Sequence, residues 1–150
     1  MEYQEIVINW GSENSLEKFQ NLRTQLSLKN GLYQIYGDSH IYGRRTLLYL
    51  GQTKRNFSER MDEHLSSALG FANNLSFIFG EIIDKTIELS IPESILIANH
   101  KPSFNKDYIH DISDNAKENK IIVINNGNHG MLKSCSTNYW WVESRMHAGK

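Results

Sequence analysis

Residues 31–51 have the sequence GLYQIYGDSHIYGRRTLLYLG, and this stretch decides the fold. Its two ends are rich in aliphatic and aromatic side chains, and a loop containing Gly, Asp, Ser and His separates them, which predicts a β-hairpin with a long tip. Because side chains alternate across a strand, Tyr33 and Ile35 share one face and Tyr36 points to the other. Tyr33 and Tyr49 can then lie side by side if the two strands pair antiparallel.

The flanking segments supply the other elements of an α+β fold. Apolar periodicity and capping residues predict strands over residues 5–8, 75–83 and 120–124, and helices over 16–26, over 56–69 and from Ser90 to just before Pro102. The strand at 75–83 is predicted to join the hairpin. We therefore expect a small central three-stranded antiparallel sheet flanked by helices, with strand and helix additions at the N- and C-termini.

Composition sets limits on size, charge and compartment. The 150 residues, 39% hydrophobic and 22% charged, predict one domain over 1–150. Sixteen Lys and Arg against 17 Asp and Glu give a net charge of −1, which excludes a polybasic tail binder and argues against DNA binding through bulk charge alone. The single cysteine, Cys135, excludes an internal disulfide and favours a reducing, cytoplasmic setting. Neither a signal-peptide pattern nor an apolar run of membrane-spanning length is present in the sequence, so no membrane partner is expected.

A series of motifs begins on the predicted hairpin with the tripeptides Gly31-Leu32-Tyr33 and Tyr49-Leu50-Gly51. The series continues with Gln52-Thr53, Phe57, Arg60, His64, Glu93-Ser94-Ile95-Leu96-Ile97 and Pro102-Ser103-Phe104-Asn105. In order, spacing and residue type it resembles the GIY-YIG nuclease family over a motif core of residues 31–105. The resemblance implies a Mg²⁺-dependent endonuclease, with Mn²⁺ as an alternative ion, that hydrolyses phosphodiester bonds in DNA.

The resemblance also implies catalytic roles for five residues, which are Tyr33, Tyr49, Arg60, His64 and Glu93. The first tyrosine holds the attacking water or acts as its general base, the arginine and the metal stabilise the phosphate, and Glu93 binds the metal. Elementary chemistry fits these roles, since residues four apart on a helix share a face and Mg²⁺ commonly accepts only one or two carboxylates.

The identity of the general base stays open at this point. A phenol with an ordinary pKa of roughly 10 is a poor base at neutral pH. Tyr33 must therefore pass its proton onward or be acidified by Arg60, Lys54 or metal-bound water, and His64 is the other candidate base.

Two further groups of residues support this prediction. Three act as structural supports in our interpretation: Gly31, Gly51 and Asn105. Four basic residues crowd near the tripeptides and are predicted to contact DNA phosphates: Arg44, Arg45, Lys54 and Arg55.

The 150 residues leave little room for a separate DNA-binding module, so we expect a restriction-type nuclease or a small phage or mobile-element nuclease. Cutting both strands would then require a homodimer or a partner protein. Two alternatives remain, namely a catalytically inactive nucleic-acid-binding module and a structure-specific DNA repair nuclease. The aromatic segment at residues 139–142 is predicted either to form a lid or to face a partner.

Two other groups of side chains are alternative candidates for a metal site, but neither fully matches the pattern that it would need. Asp107 or Asp111 with Glu118-Asn119-Lys120 imitates the spacing of another class of metal-dependent nuclease, but the run between them does not have the character of a strand. The histidines His100, His110 and His129 lack the spacing of metal ligands.

Overall fold

The computed structural model describes residues 4–22 and 29–137. In these residues the strands are β1 (Gln4–Trp10), β2 (Asn14–Ser15), β3 (Lys29–Ser39), β4 (Gly43–Asn56), β5 (Ser76–Ile82), β6 (Ile121–Gly127) and β7 (Cys135–Ser136). The helices are α1 (Leu16–Leu22), α2 (Phe57–Leu65), α3 (Ser90–His100) and α4 (Asp114–Lys117), with a 3₁₀ turn at Ala68–Phe71.

The strands form one curled, mixed sheet in the order β4-β3-β5-β1-β6-β7, and the short β2 also pairs with β5. The predicted hairpin and its antiparallel pairing with the third strand are confirmed. The predicted three-stranded sheet flanked by helices is wrong, because β1 pairs antiparallel with β5 and parallel with β6. Both added strands alternate buried residues with more exposed ones, as Ile6 and Ile8 show on β1, and the buried face lies in the core that α3 covers.

Each face of the sheet carries its own apolar core. On one face, α3 packs Ile95 and Leu96 against residues of β1 and β6. On the other face, Phe57 and Met61 of α2 pack against the side of β3 that carries Tyr33. The predicted alternation along β3 is confirmed, since its neighbouring residues belong to different cores.

The first two helices differ from prediction mainly in length. The hydroxyl of Ser15 accepts a hydrogen bond from the backbone nitrogen of Lys18 at 3.2 Å and caps α1. The part of this predicted helix at residues 23–26 lies outside the described residues. Helix α2 follows Asn56 as predicted, but the Asn56 side chain makes no cap hydrogen bond and the helix ends at Leu65 instead of residue 69.

Helix α3 agrees with prediction at both ends. It begins at Ser90 and ends at His100, and Lys101 closes it in the left-handed region with φ of 48°. Pro102 follows directly, so the turn into the next loop occurs where a proline would prevent the helix from continuing.

Two other sequence-based predictions concern the end of the chain. Cys135 lies partly buried against the apolar core, and burial raises the pKa of its thiol to about 12, which fits a packing role. Residues 139–142, predicted as a lid or partner contact, lie outside the described residues. Within the described ranges, no helix has the length and apolar character that crossing a membrane requires.

Candidate active site

The hairpin places two tyrosines on one face of the sheet. Tyr33 lies opposite Gly51, and Tyr49 lies opposite Ile35 on the paired strand. The two phenol rings stack with centroids 6.0 Å apart and planes 17° from parallel. A Cβ atom on Gly51 would lie 2.4 Å from both Cζ and Oη of Tyr33, so a glycine is required for the phenol to cross the neighbouring strand.

Gly31 allows three elements to close around the base of β3. A Cβ atom there would lie 2.3 Å from the carbonyl oxygen of Gly80 on β5 and 2.7 Å from the ring of Phe57 on α2. Any larger residue would push β5 or α2 away, and α2 carries the next two site residues.

Asn105 fastens the loop after α3 to the free edge of the sheet. Its side-chain oxygen accepts from the backbone nitrogen of Leu50 at 2.9 Å, and its side-chain nitrogen donates to the Leu50 carbonyl at 2.8 Å. The backbone nitrogen of Phe104 also donates to Leu48 at 2.9 Å. The loop therefore continues the pairing beyond β4, the last strand on that side, and lies beside Tyr49.

Helix α2 directs a cation and an imidazole at the same phenol. The Nε of Arg60 donates to Tyr33 Oη at 3.1 Å, and His64 Nε2 lies 2.7 Å from the same oxygen. Their spacing of four residues puts both on one helix face. Glu63 holds Arg60 Nη1 at 2.5 Å, and the Arg60 side chain also hydrogen-bonds to Tyr49.

Burial determines the protonation states of Tyr33 and His64. It raises the pKa of the Tyr33 phenol well above its ordinary value, with a further increase from Tyr49 and an opposing effect of Arg60. Burial also lowers the pKa of His64 to about 4, and the nearby Arg60 charge acts in the same direction. At neutral pH the phenol is therefore protonated and the imidazole neutral, so Tyr33 can donate its hydrogen bond to His64 Nε2.

Glu93 approaches from the first turn of α3. Burial, together with the charge of Asp107, raises the pKa of its carboxyl to about 7, and Arg60 opposes this increase. The place of Glu93 in the first turn would also fit a capping role with Ser90, but α3 has no side-chain cap hydrogen bond. No described residue donates a hydrogen bond to the Glu93 carboxylate, which leaves both oxygens available to a ligand.

These side chains meet at one cavity of about 500 Å³. Its lining includes Tyr33, Tyr49, Arg60, Glu93, Asn105 and Asp107. His64 contacts Tyr33 from behind and is 8% exposed. The structure thus brings all five predicted catalytic residues together at the β4 edge, where side chains from both faces of the curled sheet reach the same space.

The cavity suits a divalent ion that keeps most of its water. Among the described ranges, no group of three or more His, Cys, Asp or Glu side chains could form an all-protein metal cage. Mg²⁺ does not require such a cage, since it binds through one or two carboxylates and retains several waters. The unpartnered Glu93 carboxylate, with Asp107 on the same lining, meets that requirement.

Sequence reasoning missed three polar residues of the lining, which are Lys106, Asp107 and Tyr108. The sequence analysis considered Asp107 only as part of the alternative nuclease pattern with Glu118-Asn119-Lys120. A usable signal existed, because these residues directly follow Asn105, which the motif series had already placed at the site. Tyr108 has φ of 62°, a conformation that is costly for a residue with a bulky side chain and is often found at functional sites.

The four residues predicted to contact phosphate lie outside this cavity: Arg44, Arg45, Lys54 and Arg55. Arg45 forms an ion pair with Glu13 and stacks over a tyrosine ring on β3. Arg55 pairs with Glu63 at 2.5 Å, so it reaches the site only through the partner that it shares with Arg60. Arg44 lies exposed on the hairpin, and Lys54 lines a separate groove.

The two alternative groups do not assemble around the cavity. Asp111 forms an ion pair with Lys117 at 2.6 Å, and neither Glu118 nor Lys120 lines the cavity. Both ring nitrogens of His100 are within 2.9 Å of backbone atoms, so this histidine has a structural role.

Comparison of the chain with known protein families, with curated proteins and with solved structures found no match. The chemistry must therefore be inferred from the cavity itself. Its distinctive feature is a buried tyrosine hydrogen-bonded to both an arginine and a neutral histidine, facing an unpartnered carboxylate.

Proposed function

We propose that this protein is a divalent-metal-dependent DNA endonuclease of the GIY-YIG type, acting as a restriction enzyme or as a phage or mobile-element nuclease. One observation carries the proposal: Arg60 and His64 both contact the Tyr33 phenol at a cavity that also holds Glu93. The proposal depends on these side chains and their motif order, and it takes nothing from the sheet topology.

Arg60 is the residue suited to the substrate phosphate. Two of its nitrogens are held by Tyr33 and Glu63, which fixes the orientation of the guanidinium plane. A guanidinium has five N–H groups, so donors remain for a phosphate oxygen in the cavity beside the hydrogen bonds to Tyr33, Glu63 and Tyr49. A positioned guanidinium stabilises the negative charge that develops on phosphorus during hydrolysis, and it does so without reorganisation at the moment of reaction.

Tyr33 is suited to passing a proton from water to His64. Its oxygen accepts one hydrogen bond from Arg60. Tyr33 is fully buried, so the side chains over it must shift before its second lone pair can accept a hydrogen bond from the attacking water. As that water gives its proton to the phenol oxygen, the phenol gives its own proton to His64 Nε2, 2.7 Å away. Tyr33 then never becomes an isolated phenolate, which its high pKa would make costly.

Glu93 is suited to holding the metal, with Asp107 near it. A bound divalent ion would polarise a phosphate oxygen and acidify a water molecule. Glu93 would bind in its charged form, and the ion's positive charge would offset both the burial and the Asp107 repulsion that raise the Glu93 pKa.

The proposal includes a setting and an assembly. We place the activity in the cytoplasm, because a chain with one cysteine suits a reducing compartment. A single cavity cuts one strand at a time, so cleavage of duplex DNA would need a second copy, a partner protein or a second binding event.

The decisive test is incubation of the purified protein with plasmid and assorted DNA in Mg²⁺ or Mn²⁺, followed by mapping of the cut ends. We expect metal-dependent cleavage that Arg60→Ala and Glu93→Ala both abolish. Glu59→Gln, an exposed substitution on the same helix as Arg60, is the matched control and should retain the wild-type rate. Identical purification of all variants excludes a contaminating nuclease.

Two results would replace the proposal by one of its alternatives. If wild-type protein binds DNA but never cuts it, and Glu93→Ala behaves identically, the chain is a nucleic-acid-binding module. If branched DNA is cut and duplex plasmid is not, the chain is a structure-specific nuclease.

A further inference from the structure

The tip of the β3–β4 hairpin exposes apolar side chains next to the catalytic cavity. Ile41 is 83% exposed and Tyr42 is 71% exposed, whereas most other large apolar residues of the hairpin are buried. Phe71 of the 3₁₀ turn is 91% exposed, and Phe104 of the loop after α3 is 41% exposed. These four residues line one groove of about 310 Å³, which we call the tip groove. Contiguous exposed apolar groups of this kind usually mark a binding surface.

The tip groove is continuous with the catalytic cavity on one side and with a basic groove on the other. Phe104 lines both the cavity and the tip groove. Tyr42 and Ser103 line both the tip groove and the basic groove, a third concavity of about 460 Å³ that also includes Arg44 and Lys101. A strand that enters the cavity could therefore continue over Phe104 and Tyr42 without leaving the surface.

The charge along this track favours phosphate. The basic groove is lined by three cations, Arg44, Arg45 and Lys101, and by no carboxylate. Arg45 is engaged by Glu13, but Arg44 is exposed and has no ion-pair partner among the described residues. The carboxylate lining the tip groove, Asp38, already accepts from Asn74 and from the Arg45 backbone.

We propose that the tip groove and the basic groove bind an unpaired stretch of the DNA substrate beside the cut. Bases stack on Tyr42 and Phe104, and phosphates bind Arg44 and Lys101. Exposed aromatic side chains alternating with cations are the usual platform for single-stranded nucleic acid, because each unpaired base offers a ring face. Paired bases inside a duplex offer no such face. The inference rests on the proposed function, and it adds that duplex DNA is locally opened beside the cut, so that an unpaired stretch reaches both grooves.

The test is the fluorescence anisotropy of a labelled single-stranded oligonucleotide of about 16 nucleotides, in EDTA so that no cleavage occurs. We expect Tyr42→Ala to weaken binding by about 5- to 150-fold, the usual effect of removing one stacking contact. Tyr42→Trp should restore binding and Tyr42→Leu should not, because stacking requires an aromatic ring. Arg44→Ala should lower the slope of log affinity against log salt by about 0.7.

Ile83→Ala is the matched control, since Ile83 is 60% exposed but lines none of these three concavities. The inference is overturned if Tyr42→Ala and Phe104→Ala bind the oligonucleotide as tightly as wild type. It is also overturned if sedimentation shows a dimer that Tyr42→Ala dissociates while DNA affinity stays unchanged, since the face would then join two copies of the chain.

The readouts separate this inference from the proposed function. Wild-type protein that binds single-stranded DNA through Tyr42 but cuts nothing in Mg²⁺ or Mn²⁺ would support the surface and refute the nuclease. Protein that cuts DNA, with Tyr42→Ala binding and cutting as wild type does, would support the nuclease and refute the surface.

Discussion

Replacement of Glu93 by glutamine should stabilise the metal-free protein at alkaline pH. The pKa of the Glu93 carboxyl rises from an ordinary 4.5 to about 7, because the folded chain buries the charge near Asp107. The charged carboxylate thus opposes folding above about pH 7. The effect vanishes below about pH 4.5, where the carboxyl is protonated in both the folded and the unfolded chain. Glutamine has nearly the same shape and no charge to bury.

The size of the effect follows from the pKa change. A difference from 4.5 to about 7 corresponds to at most about 3.5 kcal/mol, at about 1.4 kcal/mol for each pKa unit. Water reaches the half-buried carboxylate and screens it, so we expect about 1–2 kcal/mol. For a chain of this length that amounts to a rise in Tm of about 3–6 °C.

Thermal unfolding by circular dichroism in EDTA, at about pH 4 and about pH 8.5, measures this directly. The Tm difference between Glu93→Gln and wild type should appear only at the higher pH, and Glu59→Gln should show no such pH dependence. Addition of Mg²⁺ at about pH 8.5 should raise the Tm of wild type and leave Glu93→Gln unchanged, because only the carboxylate binds the ion. A variant less stable than wild type at pH 8.5, or a Tm difference independent of pH, would refute the reasoning.

Three further substitutions test the parts of the site. Tyr33→Phe should slow cleavage by at least about 100-fold and His64→Ala by less, as measured by single-turnover kinetics, because the phenol contacts the attacking water. Full activity of Tyr33→Phe from pH 6 to 9 would exclude the proton relay. Gly51→Ala should cost about 1–3 kcal/mol in urea unfolding and also impair cleavage, since the new methyl group would overlap the Tyr33 ring. Asn105→Ala should cost about 1–3 kcal/mol by removing both hydrogen bonds to Leu50. Unfolding midpoints equal to wild type would contradict these last two expectations.

Much of the site was predictable, because its residues lie on a hairpin and on helices that short-range sequence patterns predict. The alternation of the hairpin strands places Tyr33 and Tyr49 on one face of the sheet. Helical spacing places Arg60 and His64 on one face of α2. Each of these two arrangements depends only on residues of one helix or of the two strands of one hairpin. Asp107 escaped prediction because its place at the cavity depends on how the loop after α3 is fastened to β4.

The sheet topology was not predictable in the same way. The strand character of residues 5–8 and 120–124 is evident from their apolar side chains, but β1 and β6 lie more than 100 residues apart and pair parallel. No local pattern states which edge such a strand will join. The predicted three strands therefore became the centre and one side of a larger curled sheet.

By itself, the sequence determined the hairpin, the limits of α3 and the polar side chains available for chemistry, since each depends on backbone preferences and short-range spacing. Only the tertiary structure decided their charge states. Burial keeps the Tyr33 phenol protonated and the His64 imidazole neutral. Burial, with the approach of Asp107, also makes the Glu93 carboxylate costly without a cation. Desolvation and long-range charge depend on what packs around a group, and that packing exists only once the distant strands have paired.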